Sequence, residues 1–277
     1  MAKVVGGFLL PHEPGIFRKA DVDRSPGQTR VMNAYEHIRD RIGELDATTV
    51  VIIGSDHYVL FGPTCLPTYL IGIGDLSGPY ERFAGIEGGS LPGDPEFATH
   101  IAQHGRASGF DWAVAKSLNV DHSIGIPARI CALPNTSVRS VVPVYLGSSV
   151  EPIISSERAY QLGGSIRDAI DAWSADERVV VIGSGGISHW VGLPEMGKVN
   201  ETFDRWVIDS AISGSARDLI ALRDDEVVAQ AGNGALEVRN FLCAMAIVRN
   251  RSGSLIAYES GPEWVAGLGF VELDADV

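Results

Sequence analysis

Cysteine is scarce in this chain. Cys65, Cys131 and Cys243 are far apart, odd in number and outside any CxxC pair, so a disulfide framework and a zinc knuckle are excluded and a reduced, cytoplasmic protein is expected. Basic charge is short as well: 22 Lys and Arg stand against 35 Asp and Glu, a formal net charge of −13, and no window concentrates cations. Nucleic acid and anionic membrane surfaces both need a basic patch, and neither is an expected partner. No apolar run approaches a membrane span, and the opening MAKVVGGFLLPHEPG has too short an apolar stretch for a signal peptide. Internal repeats, linkers and low-complexity tracts are missing, so no domain boundary is drawn, and residues 1–277 are expected to form a single domain with a full core. The HExxH zincin signature and the GxSxG elbow of serine hydrolases are absent too.

What is present is a set of strands that stop at polar residues. Val50 to Tyr58, VVIIGSDHY, is a mostly β-branched run that ends at Gly54 and delivers Ser55, Asp56 and His57. Val179 to Ile182 repeats the pattern and leads into Gly183-Ser184-Gly185-Gly186-Ile187-Ser188-His189. Lys3 to Leu10 reads as a first strand closed by Pro11-His12-Glu13-Pro14-Gly15. Open α/β sheets bind ligands at the C-terminal ends of their strands, so these ends are expected to share a site. The order strand, helix (Gln28 to Leu45), strand implies a parallel pair with a right-handed crossover. The fold class expected is α/β, a central mixed sheet flanked by helices.

Further along, Leu66 to Ile73 is expected as a strand and residues 74–95, rich in Gly and Pro, as a long surface loop with the length of a lid. Asp94 caps a helix to Gly109; Trp112 to Ala115 is a short strand; residues 119–127 turn into a helix toward Leu133. Val138 to Leu146 is a strand in which Pro143 predicts an edge or a bulge. Helices are expected at Ser156 to Trp173, Glu201 to Ile212, Asp224 to Ala231 and Asn233 to Arg249, and strands at Leu255 to Tyr258 and Val265 to Leu273.

Of seven histidines, His12, His57, His122 and His189 sit in short loops beside Pro, Gly, Asp or Ser, whereas His37, His100 and His104 fall in predicted helices. A cluster of neutral imidazoles with a buried carboxylate is a ligand set for a divalent transition metal, here converging from separate elements. Glu237, flanked by Leu236 and Val238 on an apolar helix, is the carboxylate candidate; stabilisation by the helix dipole explains it equally well from periodicity alone. Two rivals are weaker. GSGGIS lacks the third glycine of a dinucleotide loop and runs into His189-Trp190, and the adjacent Ser55, Asp56 and His57 point to alternate faces of a strand, so they form no triad. Asp56 is expected to support His57 or to close a turn.

The motifs LPHEP, VVIIGSDHY, NVDHSIGIP, VVVIGSGGISH, ALEVRNF and PEWVAGLG together resemble, in order and over nearly the whole chain, the catalytic subunit of the class III extradiol ring-cleaving dioxygenases. That resemblance implies His12, His57 and Glu237 as ligands to Fe(II), His189 as the active-site base and His122 as a second acid/base or oxygen-positioning histidine. It implies a catecholic, carboxylated substrate such as protocatechuate, gallate or methylgallate, cleaved by O₂ beside the diol to a ring-opened semialdehyde or keto acid. An aminophenol substrate and a non-catalytic metal-binding subunit are the alternatives. A homo-oligomer is expected, with a small lid subunit as a further partner unless residues 74–95 supply the lid. Leu10-Pro11 stands before the first histidine where serine is common in the family, and Ser123 follows His122 where many members have glycine; both bear on pocket shape. Arg18, Lys19 and Arg239 are candidates for the substrate carboxylate, against a reading of each as a solvated surface cation.

Overall fold

The computed structural model describes residues 1–17, 24–82, 85–148, 150–261 and 263–275. Its first half contains β1 (Lys3–Leu10), α1 (Pro26–Glu44), β2 (Thr49–Gly54), β3 (Tyr69–Ser77), β4 (Ser90–Leu91), α2 (Pro95–Ala107), β5 (Ala113–Asn119), α3 (His122–Pro127) and β6 (Ser140–Leu146). The second half adds α4 (Ser156–Ala172), β7 (Arg178–Ser184), α5 (Glu201–Ile212), α6 (Arg217–Ala221), α7 (Asp224–Ala231), α8 (Val238–Ile247), β8 (Gly253–Glu259) and β9 (Leu268–Leu273). The strands form one mixed sheet in the order β4-β3-β6-β2-β7-β1-β9-β8, with β5 paired to β3.

The centre of that sheet explains its sequence. β6, β2, β7 and β1 run parallel, and Thr49–Gly54 is buried along its whole length. A strand covered on both faces has no polar face to show, hence the continuous Val/Ile runs. Alternation sorts them: Val50, Ile52, Val180 and Ile182 join the core layer under α1, while Val51, Ile53, Val179 and Val181 join the layer containing α4 and α8. Helix starts are chemically marked. Ser25 caps α1 in a capping box with Gln28, and Asp94 caps α2 ahead of Pro95. No helix among the described residues is long and apolar enough to cross a membrane.

Three expectations are corrected. Pro143 lies in an interior strand, paired to Ile52 of β2 on one side. The β3–β6 ladder ends at Ile71↔Val144, so no partner on the β3 side asks for the N–H that proline lacks. Residues 74–95 are not one surface loop: β3 continues to Ser77, and Ser90–Leu91 returns as β4 against it. Phe83 and Ala84, within the expected lid, lie outside the described residues. The helix expected from Asn233 is a 3-10 turn, Asn233–Glu237, followed by α8, which places Glu237 at the junction.

Candidate active site

The C-terminal ends of β1, β2 and β7 open toward a common cavity of about 160 Å³ lined by His12, His57, His122, His189 and Glu237. Each histidine follows its strand or turn by a few residues, and α8 delivers the carboxylate from behind the sheet. His57 Nε2 lies 3.1 Å and His12 Nε2 3.5 Å from Glu237 Oε1. The second oxygen of Glu237 accepts from the Gly186 N–H at 2.9 Å and lies 4.0 Å from His189 Nε2. Glu237 is 1% exposed and makes no bond that caps its own helix, so the dipole reading gives way to a carboxylate turned into the cavity. The glycines after β7 thus hold a side-chain carboxylate rather than a phosphate.

Hydrogen bonds fix which nitrogen of each ring faces inward. Ser184 Oγ donates its single proton to the Ser123 carbonyl at 2.7 Å, so its 2.9 Å contact with His12 Nδ1 requires the imidazole to be the donor. His57 Nδ1 donates to Asp121 Oδ2 at 3.0 Å, and His189 Nδ1 to the Ile187 carbonyl at 3.1 Å. In the neutral form of each of these three rings the lone pair is therefore on Nε2. His122 Nδ1 is likewise held, by Glu81 Oε1 at 2.6 Å. His122 stacks on His57 with ring centroids 4.3 Å apart.

Charge in the cavity is matched to a cation. Burial alone would raise the Glu237 carboxyl, but His12 and then His57 outweigh it and hold the group well below the usual carboxylate range. For Asp121, which is fully buried, the same penalty is overcome by the His57 hydrogen bond. Burial opposes a charge on His57 also, yet Asp121 and Glu237 together lift its pKa well above the ordinary imidazole value; on His12 burial dominates and lowers it. Two buried carboxylates facing imidazoles whose Nε2 atoms point inward are the donor chemistry of a divalent metal, which takes the place of the imidazole proton. Two ring nitrogens at 3.1 and 3.5 Å from one carboxylate oxygen are close to the separation that pairs of ligand bonds near 2.1 Å would give. Ring nitrogens of His12, His57 and His122 also lie within 4.8 Å of one another, a second set that could hold an ion.

Of its two expected roles, support of His57 or closure of a turn, Asp56 takes the second: its carboxylate accepts from the Leu60 and Phe61 N–H groups and closes a turn. The supporting residue is Asp121, which also accepts from Tyr145 Oη and Ser123 Oγ, at 2.9 and 2.7 Å. Sequence reasoning placed Asp121 only in a polar turn entering a helix; in the structure its side chain also accepts from Ser123 N as the N-cap of α3. Ser55 Oγ accepts from Asn240 and has no contact to His57 that would make a triad. Arg239 is no surface cation: it is 2% exposed, ion-paired with Asp224 and bonded to the Ser148 and Leu236 carbonyls. Arg18 and Lys19 lie outside the described residues. Gly234 is needed where it stands, since a Cβ there would overlap the His189 imidazole.

A profile of the family described as the catalytic LigB subunit of aromatic ring-opening dioxygenase matches residues 6–269. Similar curated proteins include a 2,3-dihydroxyphenylpropionate/2,3-dihydroxicinnamic acid 1,2-dioxygenase from Rhodococcus jostii, 26% identical over 88% of this chain and 91% of that protein. Another of the same description, from Klebsiella pneumoniae, is 26% identical over 86% and 89%. The crystal structure of an uncharacterized protein from Escherichia coli K12 superposes with a TM-score of 0.59 at 13% identity, covering 97% of this chain and 99% of that one, a likeness of fold.

Proposed function

The chain belongs to the family of catalytic LigB subunits of aromatic ring-opening dioxygenases, and from that premise we propose that it is an Fe(II)-dependent extradiol enzyme. In this reading it opens a catechol carrying a carboxylate, of the protocatechuate, gallate or dihydroxyphenylpropionate kind, to a semialdehyde or keto acid. The observation that carries the proposal is the convergence of His12 Nε2 and His57 Nε2 on Glu237 Oε1 inside one cavity that His122 and His189 also line.

His12, His57 and Glu237 would hold the metal, which supplies the redox-active centre where the two oxygens of the diol and O₂ meet. The protein does the rest through proton placement. His189, its Nδ1 proton fixed on the Ile187 carbonyl, presents the Nε2 lone pair as a base for a catechol hydroxyl, so that the substrate binds as an anion. Gly234 and the backbone bond from His189 N to the Ala231 carbonyl keep the ring in that position. His122, across the cavity and stacked on His57, acts as the second acid/base, handling a proton on the oxygen side of the reaction. Val191, Met196 and Val265 line the mouth and offer apolar surface to an aromatic ring.

The test is anaerobic reconstitution of the full chain with Fe(II), followed by O₂ uptake and product spectra across protocatechuate, gallate, methylgallate, 2,3-dihydroxyphenylpropionate and 2-aminophenol. Stoichiometric O₂ uptake with a carboxylated catechol, and a ring-opened product absorbing in the near ultraviolet or visible, are expected. Uptake with none of the diols would sink the proposal, and uptake with the aminophenol alone would move it to the aminophenol class.

A further inference from the structure

We infer that Glu81 is a positioning residue for His122, fixing the tautomer and orientation with which that ring carries protons. The inference rests on the reading of His122 as the second acid/base. Two stacked imidazoles, His57 and His122, stand beside one buried carboxylate, Asp121, whose Oδ2 lies 3.0 Å from His57 Nδ1 and 3.8 Å from His122 Nδ1. Only His57 lies within hydrogen-bond distance of that oxygen. Glu81 resolves the competition by taking His122 Nδ1 at 2.6 Å, and Asp121 is left to His57. With its Nδ1 proton on Glu81, a neutral His122 carries its lone pair on Nε2, the same tautomer as the other three.

Glu81 is not a surface carboxylate that happens to reach inward. Its side chain is 19% exposed, and Oε2 is buried without a hydrogen-bond partner among the described residues. A buried, half-satisfied carboxylate is disfavoured for stability alone, which is the pattern expected where the group has a task. The turn that carries it is tied down on both sides. Tyr80 N donates to the Val120 carbonyl at 2.7 Å, two residues before His122, and Gly78 N to the Gly89 carbonyl at 2.9 Å. The Arg129 guanidinium donates to the carbonyls of Gly78, Gly89 and Ser90 at 3.0, 2.7 and 2.9 Å, closing the base of the excursion. The stretch expected from sequence as a lid, residues 74–95, thus contributes the Glu81 side chain to His122.

Glu81→Ala and Glu81→Gln, set beside His122→Gln, test this. Removing the acceptor in Glu81→Ala should lower kcat about ten- to hundredfold while KM moves less than about threefold, whereas Glu81→Gln, which keeps an acceptor oxygen, should recover most of the loss. Long-range ¹H–¹⁵N correlation spectra of the metal-free full chain should show His122 in the Nδ1–H tautomer in wild type and Glu81→Gln, and a tautomer mixture in Glu81→Ala. Adding Glu81→Ala to His122→Gln should bring no further drop in kcat. Wild-type kcat in Glu81→Ala, or an unchanged His122 tautomer there, would overturn the role of Glu81 while leaving that of His122 intact. Full kcat in His122→Gln would instead remove the acid/base reading itself, a different and distinguishable failure.

Discussion

The two halves of the site are built differently. On the side proposed to hold the metal, His12, Glu237 and Asp121 are 5%, 1% and 0% exposed while the His57 side chain is 26% exposed, and their partners lie on β6 and β7, in the loops that follow β2 and β7, and at the start of α3. On the side proposed to meet substrate, His122 leans on Glu81, and His189, itself buried, sits in a loop next to Val191 and Met196, which are 50% and 58% exposed. Ligand atoms must be deprotonated, desolvated and fixed before the metal arrives, and the rigid sheet provides that. Proton carriers must meet a substrate that enters and leaves, which needs a wall that can be reached from solvent. The difference separates binding the metal from using it.

The comparison is tested hardest at Glu237. Glu237→Ala should abolish stoichiometric Fe(II) binding, a loss of more than about a hundredfold in affinity because two imidazoles remain without the anion that balances the dication. Metal content after dialysis measures it. If His122→Ala rather than Glu237→Ala releases the metal, the three-histidine grouping is the true site and the division drawn above is misplaced.

Next is His189→Phe, which should keep one Fe(II) per chain yet lower kcat by about 10²- to 10⁴-fold, the range for loss of a general base. Loss of iron in that variant would blur the two halves into one. Asp121→Asn acts from behind the metal side: it keeps the shape but removes the charge that holds His57, and Fe(II) affinity should fall about ten- to hundredfold. An unchanged affinity would mean that His57 is oriented by packing alone.

The smallest effect should come from Ser184→Ala. Its hydroxyl is a neutral acceptor for His12 Nδ1, and losing such a bond costs about 1 kcal/mol, roughly fivefold in affinity, below the charged partner of His57. Competition titration with a chelator resolves a difference of that size. Equal losses in Asp121→Asn and Ser184→Ala would show that the two ligand histidines are held alike.

Much of this arrangement was legible in the chain. The apolar runs at Val50 and Val179 have the uniform hydrophobicity of strands covered on both faces, and they stop at the residues that enter the cavity, so His12, His57 and His189 could be placed at strand ends. Residue spacing alone left Glu237 undecided between two roles. In the structure its oxygens meet the Gly186 N–H and two imidazoles, groups that lie 51, 180 and 225 positions away in sequence. Pro143 was misjudged because local geometry cannot reveal where a neighbouring ladder ends. Support of His57 was one of two roles expected of Asp56, its neighbour in sequence, whereas Asp121, 64 positions away, is its neighbour in space.

By itself, then, the sequence determined the mixed α/β sheet and the strand ends that carry the histidines, because hydrophobic periodicity and residue type are local properties. Tertiary structure alone decided which oxygen holds each Nδ1: Ser184 for His12, Asp121 for His57, Glu81 for His122 and the Ile187 carbonyl for His189. Three of these four partners come from elements distant in sequence. A hydrogen bond depends on where two atoms end up within a few tenths of an ångström, and only the packed sheet and its loops fix that.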